Sequence, residues 1–251
     1  MTEAEAKRAT AAQPAPALTL SIVMPVYNEA RSIEQIVERV RDVGLLNELD
    51  YELIIVDDGS KDGTREKLAA LEKLPRVRVI YHEKNQGKGA ALHTGFAAAR
   101  NDFVLVQDAD LEYDPQDIPL LLEPALAGRA DVVYGSRFIS GQSRRVLYYW
   151  HSIVNRMLTT MSNMLTNLNI SDMEVCYKVM RRELLQKLKL REKRFGFEPE
   201  VTIKLARLKP KPRFYEVGIS YSGRTYEEGK KIGWKDGVRA VWCMLRYALV
   251  D

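Results

Sequence analysis

From residue 19 onward, short β-branched apolar runs alternate with amphipathic stretches. Residues 20–26 read as a buried strand and residues 30–43 as a helix, and the same succession repeats. Residues 51–56, 76–81, 102–107 and 131–134 have the length and content of strands, while 63–74, 87–100 and 115–126 carry helical periodicity. Strands that are apolar on both faces, each followed by a helix, predict parallel pairing, because a parallel neighbour is reached only through a crossover. The expected fold class is α/β, a mostly parallel, doubly wound sheet, with ligands beyond the carboxyl ends of its strands.

Two later segments are amphipathic in a different way. Over residues 147–168, Leu147, Trp150, Val154, Met157, Met161, Met164, Leu165 and Leu168 form an apolar helical stripe, opposite Ser152, Asn155, Arg156, Thr159, Asn163 and Thr166. Such a stripe ordinarily packs on the sheet. The alternative is a helix lying in a membrane interface, with Tyr148, Tyr149 and Trp150 at headgroup level beside Arg144 and Arg145. Residues 234–250 invite the same two readings. No run of 18 apolar residues occurs, so no transmembrane helix is expected.

Composition narrows the class. The 251 residues are 46% hydrophobic and 29% charged, as in folded globular proteins. The first 17 residues, rich in Ala and Pro, read as a flexible tail. Net charge is +4, but residues 1–125 hold 14 basic and 22 acidic side chains, net −8, whereas residues 126–251 hold 24 and 12, net +12. The two halves are suited to differently charged partners. The basic residues accompany no nucleic-acid-binding motif, so nucleic acid is not an expected partner. Cys176 and Cys243 stand far apart without a His cluster, which argues against a zinc site or a disulfide framework and fits a reducing cytosol.

The loops after the strands carry the candidate chemistry. Asp108 and Asp110 follow an apolar strand with one residue between them, a spacing that suits Mg²⁺ or Mn²⁺, with Glu112 as a further ligand or the holder of a water. A cation there can neutralise a diphosphate leaving group. The same pattern also caps helices. Asp57 and Asp58 can bond a base or a ribose hydroxyl, or form an Asx-turn into the next helix. Residues 84–89, with Lys88 between two glycines ahead of a helix, favour an anion but lack the P-loop pattern.

Five motifs in order, Pro25-Val26-Tyr27-Asn28-Glu29, Val56-Asp57-Asp58-Gly59-Ser60, Asn85-Gln86-Gly87-Lys88-Gly89, Asp108-Ala109-Asp110-Leu111 and Gly135-Ser136-Arg137, closely resemble glycosyltransferase family 2. The match is nearest to its polyprenyl-phosphate hexose synthases and runs from about residue 19 to about 233. The resemblance implies a GT-A catalytic domain over 18–233, followed by an amphipathic helix over 234–251. It also implies inverting transfer of glucose or mannose from a UDP- or GDP-sugar to polyprenyl phosphate. Pro25, Tyr27 and Glu29 would line the nucleotide, with Asp57 on base or ribose, and Asp108 and Asp110 would hold the metal and the donor diphosphate. Arg137 would face the phosphates and Arg144 or Arg145 the acceptor phosphate. Asp172 is the nominee for a base or acceptor-orienting carboxylate, with a helix cap as the alternative. Residues 224–231 are similar to the C-terminal loop of mannose synthases, whereas 85–89 is closer to glucose synthases.

A phosphomonoester is ionised at neutral pH and can attack without a base. The expected location is the cytosolic face of a membrane, through an anionic surface or a small membrane partner, with homo-oligomerisation left open. Two rival readings are a family member acting on a soluble or glycan acceptor and a non-catalytic nucleotide-sugar-binding subunit.

Overall fold

The computed structural model describes residues 18–139, 141–146, 148–225, 227 and 234–250. The expected tail at 1–17 and Leu147 lie outside the described residues. Four strands, β1 (Thr19–Val26), β2 (Asp50–Asp57), β3 (Val77–Tyr81) and β4 (Phe103–Val106), pair in parallel. Between them run α1 (Ile33–Arg41), the short α2 (Gly44–Glu48), α3 (Thr64–Leu71) and α4 (Lys88–Ala98). A 3-10 turn (Pro115–Asp117) and α5 (Ile118–Leu126) lead to β5 (Val132–Ser136). Then follow α6 (Tyr149–Thr166), β6 (Lys178–Arg181), α7 (Arg182–Lys187), α8 (Phe197–Arg207), β7 (Phe214–Gly218) and α9 (Trp234–Leu249). The seven strands lie in the order β3-β2-β1-β4-β6-β5-β7.

Every strand and helix expected up to residue 134 is present, with shifted ends. The helix expected from Ala30 begins at Ile33, and the Glu29 and Ala30 amides ahead of it donate to Thr64 Oγ1 (3.0 Å) and Asp62 Oδ2 (3.1 Å). It ends at Arg41, and residues 44–48 form a separate turn of helix. Asp114 caps the 3-10 turn by accepting the Gln116 amide at 3.0 Å. Buried Leu20, Ile22, Met24, Leu53, Ile55, Val104 and Leu105 make the sheet the centre of the core.

The sheet is not wholly parallel. β6 runs antiparallel to both neighbours, β4 and β5, while β5 and β7 are parallel. A reversed strand begins where its neighbours end, so the loop entering β6, residues 167–177, arrives at the edge that holds the acidic motifs.

The expectation that the apolar stripe of residues 147–168 packs on the sheet holds only for part of it, with Met161 and Leu165 meeting the core. In α6 the buried residues are Leu158, Thr159, Ser162 and Thr166, while Trp150 (73% exposed), Met157 (67%) and Met164 (81%) face outward. The polar side is covered because its partner is a loop of polar backbone. Thr159 Oγ1 accepts the Met173 amide (3.1 Å), and Asn163 exchanges bonds with both backbone groups of Ile170. Helix α9 packs against α8 and α6 through Ala240, Cys243, Met244 and Tyr247, leaving Val238, Trp242 and Leu245 exposed.

Asp131 ties β5 to its neighbours, accepting from Arg181 Nε (2.9 Å) and from Arg213 N (2.9 Å), Nε (3.0 Å) and Nη2 (2.9 Å). The Arg213 guanidinium, helped by its amide and by Arg181 and opposed by burial, holds the carboxyl well below the usual range. A depressed folded-state value makes this contribution full above about pH 4 and lost as pH falls through that lower value. The D131N protein is expected to melt about 3 °C lower at pH 7, a small change because Arg213 is exposed and screened. The difference should close in melting curves recorded toward pH 2.

Candidate active site

Three loops from β1, β2 and β3 are cross-linked into one wall. Asn28, in left-handed backbone (φ 54°), donates its amide to Ser60 Oγ (2.9 Å) and accepts the Lys61 amide on Oδ1 (2.9 Å). Asp57 is fully buried and accepts the Gly59 amide (3.3 Å), the Ser60 amide (3.2 Å) and Arg65 Nε (2.7 Å). Asp58 faces His82 Nδ1 (2.8 Å) and accepts the amides of Gln86 (3.0 Å) and Gly87 (2.7 Å). Both carboxylates therefore hold the loops in place, whatever they offer a nucleotide. Pro25 is part-buried in β1 and Tyr27 stands at the rim, 36% exposed. Gly87 and Gly89 lie so close to the Lys193 and Glu192 carbonyls that any Cβ would collide with them, so the loop of residues 84–89 rests directly on residues 192–193.

Asp108 and Asp110 follow β4 at the same edge. Lys88 Nζ stands 2.8 Å from the Asp108 carboxylate and 2.9 Å from Cys176 Sγ. Burial alone would lower the proton affinity of Lys88, but Asp108 overrides it and holds the ammonium charged. Burial, the Asp108 charge and Glu112 together push the Asp110 carboxyl up to about 7. Negative charge is thus crowded where oxygen ligands for a hard cation are expected.

Glu112 departs from its expected part. Its carboxylate accepts from Tyr221 Oη (2.8 Å) and the Arg224 amide (2.8 Å), so it anchors the C-terminal loop. Among the described residues, no three His, Cys, Asp or Glu side chains converge as a metal site. Asp108 and Asp110 alone fit a cation whose remaining ligands are water and substrate oxygens.

Arg137 and Asp172 are brought together as a fork. Arg137 Nε and Nη2 meet the Asp172 oxygens at 2.6 and 2.7 Å, the Arg137 amide adds 3.1 Å, and Asn155 Nδ2 donates at 3.1 Å. The sequence nominated Asp172 as a base or acceptor-orienting carboxylate, with a helix cap as the alternative. It precedes no helix, and its buried oxygens are held by Arg137 and Asn155, as an orienting carboxylate requires. The Tyr221 ring lies 5.2 Å from the Arg137 guanidinium. Arg144 donates to the Arg137 carbonyl (2.8 Å) and Arg145 to the Gly223 carbonyl (3.1 Å), both on the exposed lip of this side.

Two residues not nominated from sequence complete the site. Arg224 bridges the first and fourth motifs, with Nη2 at 3.0 Å from Glu29 Oε2 and 2.6 Å from the Asp110 carbonyl, and Tyr221 joins Glu112 to Arg137. Arg224 opens a stretch noticed in the sequence for its resemblance alone. Its bridging role depends on contacts across almost two hundred residues, which no local pattern reveals.

A mostly parallel sheet with one reversed strand and an acidic pair after its fourth strand is the architecture of the GT-A glycosyltransferases. The chain belongs to glycosyl transferase family 2, whose pattern matches residues 21–189. It is 29% identical over 217 residues to a dolichol-phosphate mannosyltransferase of Pyrococcus furiosus, an alignment covering 86% of this chain and 61% of the relative. It is 28% identical over 220 residues to a dodecaprenyl-phosphate galacturonate synthase of Rhizobium johnstonii, covering 86% and 63%. The chain thus spans less than two thirds of the length of these relatives. Its fold is shared with glucosyl-3-phosphoglycerate synthase of Mycobacterium tuberculosis, solved with Mn²⁺, UDP and phosphoglyceric acid. The TM-score is 0.72 at 22% identity, over 93% of this chain and 80% of that one.

Proposed function

We propose that this chain transfers a hexose, glucose or mannose, with inversion, from a UDP- or GDP-sugar to polyprenyl phosphate at the cytosolic face of a membrane. The observation that carries the reading is the acceptor side. Arg137, Arg144 and Arg145 lie just ahead of α6, whose Trp150, Met157 and Met164 are exposed, so cationic groups for a phosphate adjoin an apolar face for a lipid. Met157, Met161 and Met164 line a shallow groove there with Ile153 and Arg156. No helix among the described residues is long and apolar enough to cross a membrane. Contact would run through α6 and the exposed Trp242 and Leu245 of α9, with Arg239 and Arg246 stacked on Trp242. The mannosyl and galacturonosyl relatives named for polyprenyl acceptors support the same class of acceptor.

In this reading Tyr27, Glu29 and the wall built by Asp57 and Asp58 receive the nucleoside, and Lys88 stands by its diphosphate. Asp108 and Asp110 hold Mg²⁺ or Mn²⁺, which when bound neutralises charge growing on the departing diphosphate. Arg137, oriented by Asp172, aims the acceptor phosphate, whose oxygen bonds to the anomeric carbon as the bond to the diphosphate breaks. No proton has to be removed. Purified protein offered UDP-glucose, GDP-mannose and related donors with a short polyprenyl phosphate and Mn²⁺ is expected to form one glycosyl polyprenyl phosphate, read by mass spectrometry. Equal transfer to water-soluble glycans would refute the acceptor.

A further inference from the structure

Glu174 is a part-buried carboxyl with no assigned role. Neither of its oxygens has a hydrogen-bond partner among the described residues, and Oε1 is sealed from solvent. A native fold rarely leaves a carboxyl orphaned without a functional reason.

The turn that bears it is firmly held. Beneath it, the buried Lys178 ammonium donates to the carbonyls of Met173 (3.2 Å) and Val175 and to the Glu198 carboxylate, which uses all three of its protons. The Met173 amide is bound by Thr159, and the Cys176 amide donates to Tyr113 Oη at 3.3 Å. Two residues before Glu174, Asp172 grips Arg137; two residues after it, Cys176 touches Lys88, the partner of Asp108. The turn of residues 172–176 that carries Glu174 therefore runs from Arg137 at one end to Lys88, the partner of Asp108, at the other. A displacement in line places the sugar ring between the attacking and departing oxygens, which is this interval.

We propose that Glu174 reads the donor sugar, its carboxyl accepting hydrogen bonds from hydroxyls of a neutral hexose and disfavouring sugar acids. The inference rests on the transfer reaction proposed above and names the sugar class of that same site. Burial and the Glu198 charge, opposed by Lys178 and Arg137, push the Glu174 carboxyl up to about 7, so its surroundings already resist negative charge. A uronate would add more. A base role is not needed, because a phosphomonoester with a second pKa near ~6 arrives ionised.

The E174Q change keeps the shape and removes the charge. For UDP and GDP with Mn²⁺, the Kd of the E174Q protein should equal that of the wild type. Its kcat/KM with UDP-glucose or GDP-mannose should fall about 10- to 100-fold, and UDP-glucuronate should gain on the neutral donors. Calorimetry without acceptor, comparing nucleotide sugar with bare nucleotide, should show the same loss confined to the sugar. E174A guards against an effect of the added amide, and melting curves for both variants guard against misfolding. The proposal is overturned if wild type prefers the uronate, if loss is equal for all donors, or if UDP affinity falls in step. Should the sugar-confined loss occur while polyprenyl phosphate receives nothing, Glu174 keeps its role and the acceptor assignment falls.

Discussion

The D110A protein is expected to transfer sugar at least about 10³-fold more slowly than wild type, with its fold intact. Removing one preorganised group that stabilises departing charge typically costs two to three decades in rate, roughly 3–4 kcal/mol, and a ligand whose loss also loosens a cation costs no less. Asp110 is suited to this test because it does little for the metal-free fold. Among the described residues its side chain accepts only the Glu112 amide, at 3.1 Å, and it stands beside Asp108 and Glu112, which destabilise its charge. The metal-free D110A protein should therefore melt no lower than wild type, and D110N somewhat higher. The paired measurement is Mn²⁺-dependent binding of UDP or GDP, which should lose its metal dependence. Transfer that survives in D110A at near wild-type rate would remove the metal from the reaction. D108A is a less clean probe, because it also frees Lys88 from its partner.

The loops that end the parallel strands were legible in the sequence for a physical reason. Parallel strands buried on both faces must be continuous apolar runs, and the glycines and aspartates that end them mark the loops. Strand β6 escaped notice because Lys178–Arg181 is four residues long and begins with a lysine. Pattern reading places a lysine outside, yet Lys178 is buried against Glu198 and two carbonyls. The same holds for α8, where Glu198 and Glu200 are buried, the latter accepting the amides of Arg191 (2.8 Å) and Glu192 (2.8 Å). Helix α6 teaches a different limit. Amphipathicity tells which side is apolar, but Thr159 and Asn163 show that the covered side is decided by what the neighbouring loop needs.

The change R137A is expected to damage both the fold and the acceptor step, and D172N should separate the two. Asp172 is fully buried, and Arg137 supplies three of its four close donors, the amide included. Removing the guanidinium strands a buried charge, a change worth about 3–5 kcal/mol of stability. D172N keeps the arginine and loses its opposite charge, so the fork loosens while the cation stays near the Tyr221 ring. Transfer should fall about 10²–10³-fold in R137A and less in D172N, with the KM for polyprenyl phosphate rising in both. R137K tells charge from geometry: a lysine supplies the charge but no planar fork, so most of the loss should remain. Donor affinity measured with UDP and Mn²⁺ should stay near wild type in D172N and R137K, because the donor wall is held by Asp57, Asp58 and Asn28. If D172N instead lost nucleotide binding and left the acceptor KM unchanged, Arg137 would belong to the donor diphosphate, and the acceptor phosphate would fall to Arg144 and Arg145.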